Sequence, residues 1–181
     1  MYESPPNSDA AEIQKFDAMA AGWWDPDGDF KPLHELNPLR LSFVQKETKL
    51  DGARVLDVGC GGGILAEAMA RCGAIVTGVD LAADALAVAR AHAADQAVDV
   101  NYVCEPIAEH ASANLDNYDA VTCMELLEHV PDPAQLVADC ARALRPGGTV
   151  FFSTINRTPR AYALAVVGAE YVLRLLPRGT H

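Results

Sequence analysis

From residue 54 onward the chain alternates short apolar runs with stretches in which apolar positions recur at helical spacing. The runs are rich in Val, Ile and Thr and predict strands near residues 54–60, 74–80, 100–105, 118–124 and 148–154. The intervening periodicity predicts helices over 63–73, 83–95 and 133–145, the last with Asp132 as N-cap and Pro133 as its first residue. Pro146-Gly147-Gly148 is expected to end that helix. Strand and helix alternate without repeats or a low-complexity linker, which predicts an α/β fold, a doubly wound parallel sheet with helices on both faces.

The first fifty residues read differently. Asp9 and Glu12 stand at capping-box spacing ahead of Ile13, Phe16, Ala20 and Trp23, one face of an amphipathic helix. A second helix is expected to begin at Asn37-Pro38. Between the two, WWDPDGDFKPLHELNPLR holds both tryptophans of the chain, three prolines, His34 and Arg40, a composition that suggests a folded lid over a ligand. The chain therefore divides into a helical lid segment at 1–50, an α/β core at 51–156 and an arm at 157–181.

Composition narrows the function. A chain of 181 residues, half of them hydrophobic, holds one well-cored domain. Its net charge of -11 argues against nucleic acid as a partner, which would need a concentrated basic face. The five cysteines form no C-x-x-C pair and sit mostly in apolar patterns, as expected of a reduced, cytoplasmic setting. The N-terminus lacks the basic and apolar regions of a secretory signal. The longest apolar run, AYALAVVGAEYVLRLL, is broken by Glu170 and Arg174 and falls short of the roughly 20 residues of a membrane span.

The stretch RVLDVGCGGGILAEAMA, Arg54 to Ala70, runs from strand through glycine-rich turn into helix, and three ligands compete for it. A nucleotide phosphate needs a lysine and a hydroxyl after the last glycine, and neither follows Gly63. A dinucleotide such as NAD needs a third small residue where Ile64 stands, and its pyrophosphate would be repelled by Asp57, two positions before Gly59. S-adenosylmethionine carries an ammonium and a sulfonium, both attracted to that carboxylate. About twenty residues on, the strand AIVTGVD ends at Asp80, placed to accept hydrogen bonds from ribose hydroxyls. Together these residues predict an adenosine-binding βαβ unit that holds S-adenosylmethionine through Asp57, Gly59, Gly61, Asp80 and Leu81.

The segments FDAMAAGWWDPDGDFKPLHELNPLR, VLDVGCGGGILAEAMA, VTCMELLEHVPDP, PGGTVFFSTINR and VVGAEYVLRLLPRGTH resemble, in order and spacing, the ubiquinone-biosynthesis O-methyltransferases, within the class I S-adenosylmethionine methyltransferases. The glycine loop marks only that superfamily; the WWD to NPLR segment is far more specific. The resemblance implies a Rossmann-like sheet and methyl transfer to a phenolic oxygen of a polyprenylated phenol or quinol. By the family pattern Arg40, Gly59, Asp80 and Met124 contact the cofactor, Arg40 as a fork on the methionyl carboxylate and Met124 against the adenosyl group. Glu105 stands where related enzymes contact the adenine amino group. Pro106 has no N–H to give, so a backbone donor to adenine must come from Ile107 or Ala108.

Methylation of a phenol needs alignment and a phenolate. With a pKa near 10, only about a thousandth of a phenol is ionised at pH 7, so a base or a metal must supply the nucleophile. In Met124-Glu125-Leu126-Leu127-Glu128-His129, the residues Glu125, Glu128 and His129 are spaced i, i+3 and i+4, on one side of a helical turn. Two carboxylates and an imidazole suit magnesium, manganese or zinc, which would chelate catechol oxygens and lower the phenol pKa. The same residues suit a structural role, with Glu125 capping amides; His129 is then the candidate general base and His34 a second. His92 and His110 carry no pattern.

From Arg157 to His181 four arginines face a single Glu170, so an otherwise acidic chain ends in a basic, apolar arm suited to peripheral contact with an anionic membrane. Members of the family continue past Gly179-Thr180-His181 through two further strands. A five-stranded sheet with strand five at its edge is therefore expected, lacking the last two strands of the full fold. Two other readings stay open: methylation of a different small phenol or acid, and a non-catalytic S-adenosylmethionine-binding module.

Overall fold

The computed structural model describes residues 7–154. Within them lie five parallel strands, β1 (Arg54–Val58), β2 (Ile75–Asp80), β3 (Val100–Cys104), β4 (Tyr118–Met124) and β5 (Leu144–Ser153), side by side in the order β3-β2-β1-β4-β5. The connecting helices are α3 (Ile64–Arg71), α4 (Ala83–Asp95), α5 (Ile107–Ala113) and α6 (Pro133–Ala143), preceded by α1 (Ala10–Met19) and α2 (Lys31–Glu47). The chain builds outward from β1 to β3, then returns to lay β4 on the other side of β1. That reversal opens a crevice at the carboxyl ends of β1 and β4, where doubly wound folds bind ligands.

Strand β1 reads as continuous apolar sequence because both of its faces are covered. Val55 points into a core shared with Leu65, Met69, Val76 and Leu86, while Leu56 points into the opposite one with Val121, Leu136 and Cys140. Both residues are fully buried. One of the polar residues buried in this interior is Glu67 of α3, fully buried, whose carboxylate lies 2.8 Å from Arg71 Nη2 and 2.8 Å from His92 Nδ1.

Three local expectations are corrected. Helix α2 starts at Lys31 and continues through Pro38; the start signal is Pro32 in its first turn, not Pro38, whose missing N–H the helix tolerates inside its length. Glu12 does not return to the N-cap as in a capping box: Asp9 caps α1 through Ala11 N–H at 2.8 Å, but the Glu12 carboxylate lies 2.8 Å from His129 Nδ1. Helix α6 ends at Ala143, before Pro146-Gly147-Gly148. Those residues form an irregularity in β5, whose pairing jumps from Tyr118 opposite Leu144 to Ala120 opposite Thr149. A side chain at Gly148 would press on the Asp119 carbonyl at 2.9 Å.

Helix α5, with only seven residues, gave no periodicity to read. Asp132 does cap α6, accepting from Gln135 N–H at 3.0 Å. No described helix is long and apolar enough to cross a membrane. The basic arm at 157–181 lies outside the described residues.

Candidate functional site

The turn after β1 is held from below by β2: the N–H groups of Gly59 and Cys60 both bond the Val79 carbonyl, at 2.8 and 3.2 Å. From above it is held by the tryptophans. Gly61 has φ 50°, and a Cβ there or at Gly62 would run into the indole of Trp23. Trp24 reaches across to donate its Nε1–H to the Gly62 carbonyl at 2.9 Å, and its ring stacks on His92, centroids 3.4 Å apart and planes 7° from parallel. Glycine is required here by the aromatic pair as well as by the backbone.

Asp80 at the end of β2 accepts from Gly61 N–H at 2.8 Å and Ala82 N–H at 2.9 Å. Burial pushes its carboxyl above the usual range, and these amides pull it back. Each oxygen keeps a further lone pair for a ligand hydroxyl. Asp57 is almost wholly buried, and burial pushes its carboxyl up to about 7, against the pull of the Thr122 hydroxyl, which donates to it at 2.7 Å, and of Arg40.

Above these residues opens a cavity of about 880 Å³, a size that accommodates a cofactor and a second ligand. Every residue that the sequence nominates for cofactor contact, from Arg40 to Met124, lies in its wall. The wall includes Asp80, Leu81, Glu105 and the start of α5, where Ile107 and Ala108 supply first-turn amides without intrahelical acceptors. Glu105 Oε1 sits 2.5 Å from His110 Nδ1, and His110 Nε2 lies 2.7 Å from the Tyr118 hydroxyl. His110 is thus a buried link in a polar chain, although the sequence gave it no pattern. The same wall carries apolar side chains, Ile13, Phe16 and Met19 of α1 and Leu33 and Leu36 of α2.

The helical turn expected for Glu125, Glu128 and His129 is not found. Glu125 has φ 57°, and only Leu127–His129 forms a short 3-10 turn. All three line the cavity, but they face different partners: Glu125 lies 2.5 Å from Arg40 Nη2, Glu128 accepts from the Thr154 hydroxyl at 2.8 Å, and His129 is beside Glu12. Among the described residues no group of three or more His, Cys, Asp or Glu is placed to hold a metal. As arranged, these three are not a ligand set for magnesium, manganese or zinc. His34, the second candidate base, is also placed elsewhere; its Nε2 lies 2.9 Å from the Trp23 carbonyl and it does not line the cavity.

Sequence reasoning missed the contact of Trp23 and Trp24 with the glycine turn, and the closure of Glu12 on His129. The paired tryptophans signalled a lid; nothing in their spacing showed which backbone they would touch.

A glycine turn at the switch point of a doubly wound sheet, with acidic residues at or next to the ends of its first two strands, defines the cofactor half of a methyltransferase that uses S-adenosylmethionine. A family model described as a methyltransferase domain matches residues 56–152. The chain is 61% identical over 176 residues to the ubiquinone biosynthesis O-methyltransferase of Sodalis glossinidius, covering 97% of this chain and 71% of the relative. It is 60% identical over 175 residues to that of Thiobacillus denitrificans, covering 97% and 75%. Among solved structures it resembles the magnesium protoporphyrin IX methyltransferase of Synechocystis PCC 6803 with bound S-adenosylmethionine, with TM-score 0.60 and 21% identity over 78% of this chain and 74% of that one. A structure from Methanococcus maripaludis gives TM-score 0.64 at 17% identity, over 96% and 75%. The chain belongs to the ubiquinone biosynthesis O-methyltransferase family, whose members transfer the methyl group of S-adenosylmethionine to oxygen. It spans about three quarters of the length of those curated relatives.

Proposed function

We propose that the chain methylates a phenolic hydroxyl of a polyprenylated phenol or quinol, with S-adenosylmethionine held by the glycine turn, Asp57, Asp80 and Arg40. The observation that carries this reading is the mixed lining of one cavity: polar groups of β1, β2 and the start of α5 share its wall with apolar side chains of α1 and α2. The polar groups suit an adenosine and an amino acid. The apolar side chains suit a ring with a hydrocarbon tail.

The cofactor supplies an activated methyl group on a positively charged sulfur. The residues bind, orient and manage charge. Ionised Asp57 favours the ammonium, Arg40 the carboxylate and Asp80 the ribose hydroxyls. In the displacement the phenolic oxygen forms its bond to the methyl carbon as the carbon–sulfur bond breaks, the electron pair goes to sulfur, and the sulfonium becomes a neutral thioether. His129 lines the cavity with Glu12 against Nδ1, which leaves Nε2 as the acceptor for the phenol proton in this reading. Peripheral contact of residues 157–181 with the cytoplasmic face of an anionic membrane, where a prenylated substrate resides, is part of the same proposal and rests on the sequence alone.

Calorimetric titration with S-adenosylhomocysteine, followed by turnover of a catechol with and without a prenyl tail, tests this reading. Saturable binding that NAD does not reproduce, and preference for the tailed catechol, support it. Equal turnover of both catechols would favour a small-phenol methyltransferase instead.

A further inference from the structure

The Arg40 guanidinium lines the cavity half-buried, its side chain 14% exposed, and it is already taken by a carboxylate of the chain itself. Glu125 reaches it from the first position after β4. Its backbone stands in the left-handed region, φ 57°, a conformation that costs a residue with a side chain about 1 kcal/mol or more. The posture is fixed by β5, whose Ser153 carbonyl accepts from Glu125 N–H at 2.8 Å. The contact with Arg40 Nη2 is a close ion pair, yet Nη2 makes no aligned hydrogen bond among the described residues. It is therefore not the two-pronged geometry in which a guanidinium binds a carboxylate best. A free amino-acid carboxylate, unconstrained by a strand end, can adopt that geometry.

We propose that Glu125 is an internal stand-in for the cofactor's carboxylate. In the cofactor-free protein it neutralises Arg40; S-adenosylmethionine takes Arg40 over with its own carboxylate, and Glu125 is released into the chamber. This inference rests on the proposed placement of the methionyl end at Arg40. Its consequence is an order of binding. Until the cofactor arrives, Glu125 is engaged and the chamber carries no free carboxylate at this position. Once displaced, Glu125 becomes an acceptor beside the route of the phenol, so the phenol O–H meets it only when a methyl donor is in place. No bond is made or broken in the exchange; one carboxylate replaces another on the same guanidinium.

The test is calorimetric, on the full chain, with two ligands that differ in the methionyl end. S-adenosylhomocysteine carries the carboxylate, whereas 5′-methylthioadenosine keeps adenosine and sulfur without it. Glu125→Gln removes the competing charge, so S-adenosylhomocysteine should bind about five-fold more tightly and 5′-methylthioadenosine should bind as to the unsubstituted protein. Arg40→Lys should weaken the first ligand and spare the second. Unchanged or weaker S-adenosylhomocysteine binding by Glu125→Gln overturns the exchange, as does an equal gain for both ligands. If Arg40→Lys leaves both ligands unaffected, the placement of the methionyl end fails as well. If it weakens only the first while Glu125→Gln gains nothing, the cofactor reading stands and the exchange alone is lost.

Discussion

Trp24 donates its indole N–H to the carbonyl of Gly62, thirty-eight positions along the chain, at 2.9 Å. The bond joins the N-terminal segment to the backbone that would cradle the cofactor, and the stacked His92, braced by buried Glu67, fixes the indole's plane. The lid and the glycine turn are thus parts of one structure.

Trp24→Phe keeps the ring and loses the donor, leaving a carbonyl at the turn unmet. A hydrogen bond of about 1 kcal/mol corresponds to S-adenosylhomocysteine binding weakened roughly five-fold. Melting should fall by about 2–4 °C for a chain of this size. Calorimetry and thermal unfolding measured on the same preparation would tell a role in the turn from one in the fold: a lowered melting temperature with unaltered affinity would confine Trp24 to stability.

Asp57 makes stability depend on pH in an unusual direction. Its carboxyl is raised from 3.8 to about 7 in the folded protein, so between those values the folded state holds a proton that the unfolded state has released. Stability from this group is full below the lower value and is lost as pH rises through the upper one, by about 4 kcal/mol in total. Asp57→Asn cannot ionise and should flatten that slope in denaturant titrations run from pH 4 to pH 8. A cofactor ammonium favours the ionised form, so binding of S-adenosylhomocysteine to the unsubstituted protein should strengthen as pH rises toward 7 and release a proton. An identical pH slope in the Asn variant would assign the effect to other groups.

Asp80 has two tasks, one toward Gly61 and Ala82 and one toward a ligand. Asp80→Asn keeps one acceptor oxygen but turns an NH2 toward the second backbone amide. The mismatch should cost about 1–3 kcal/mol of stability, and S-adenosylhomocysteine affinity should fall at least ten-fold. Urea unfolding in the absence of ligand isolates the first quantity. If stability drops while affinity holds, Asp80 shapes the turn without touching the ribose.

The sheet was legible because a strand covered on both faces must read as an apolar run, and β1 to β4 start and stop within a residue or two of the expected positions. The cofactor residues were legible for the same reason: strand ends and a glycine turn are fixed by the sheet, so Asp57, Gly59 and Asp80 come together from spacing alone. Glu125, Glu128 and His129 were not, since their expected convergence assumed a helical turn. The left-handed backbone at Glu125 follows instead from the Ser153 carbonyl on β5, a long-range constraint invisible in six consecutive letters. Pro38 misled similarly; local propensity marks it as a start, yet α2 carries it within a helix that buries Val44.

Glu12 and His129 meet in the wall of the cavity. His129 Nδ1 lies 2.8 Å from Glu12 Oε2, and the imidazole stands edge-on to Phe16, ring centroids 5.5 Å apart. One helical turn thus supplies both a carboxylate beside the imidazole and a ring that confines it. Glu12→Ala removes that charge and one tie between α1 and the segment after β4. Turnover should fall by about ten-fold or more, while S-adenosylhomocysteine affinity should change little because Asp57, Asp80 and Arg40 are untouched. Glu12→Gln keeps the side chain's length without its charge and should recover part of the loss. Hydrogen exchange separates the two contributions: faster exchange over Ala10–Met19 in Glu12→Ala, restored in Glu12→Gln together with turnover, would identify the tie as the main effect. Unchanged exchange with lost turnover would place the effect on the imidazole itself, and unchanged turnover in Glu12→Ala would remove the pair from the chemistry.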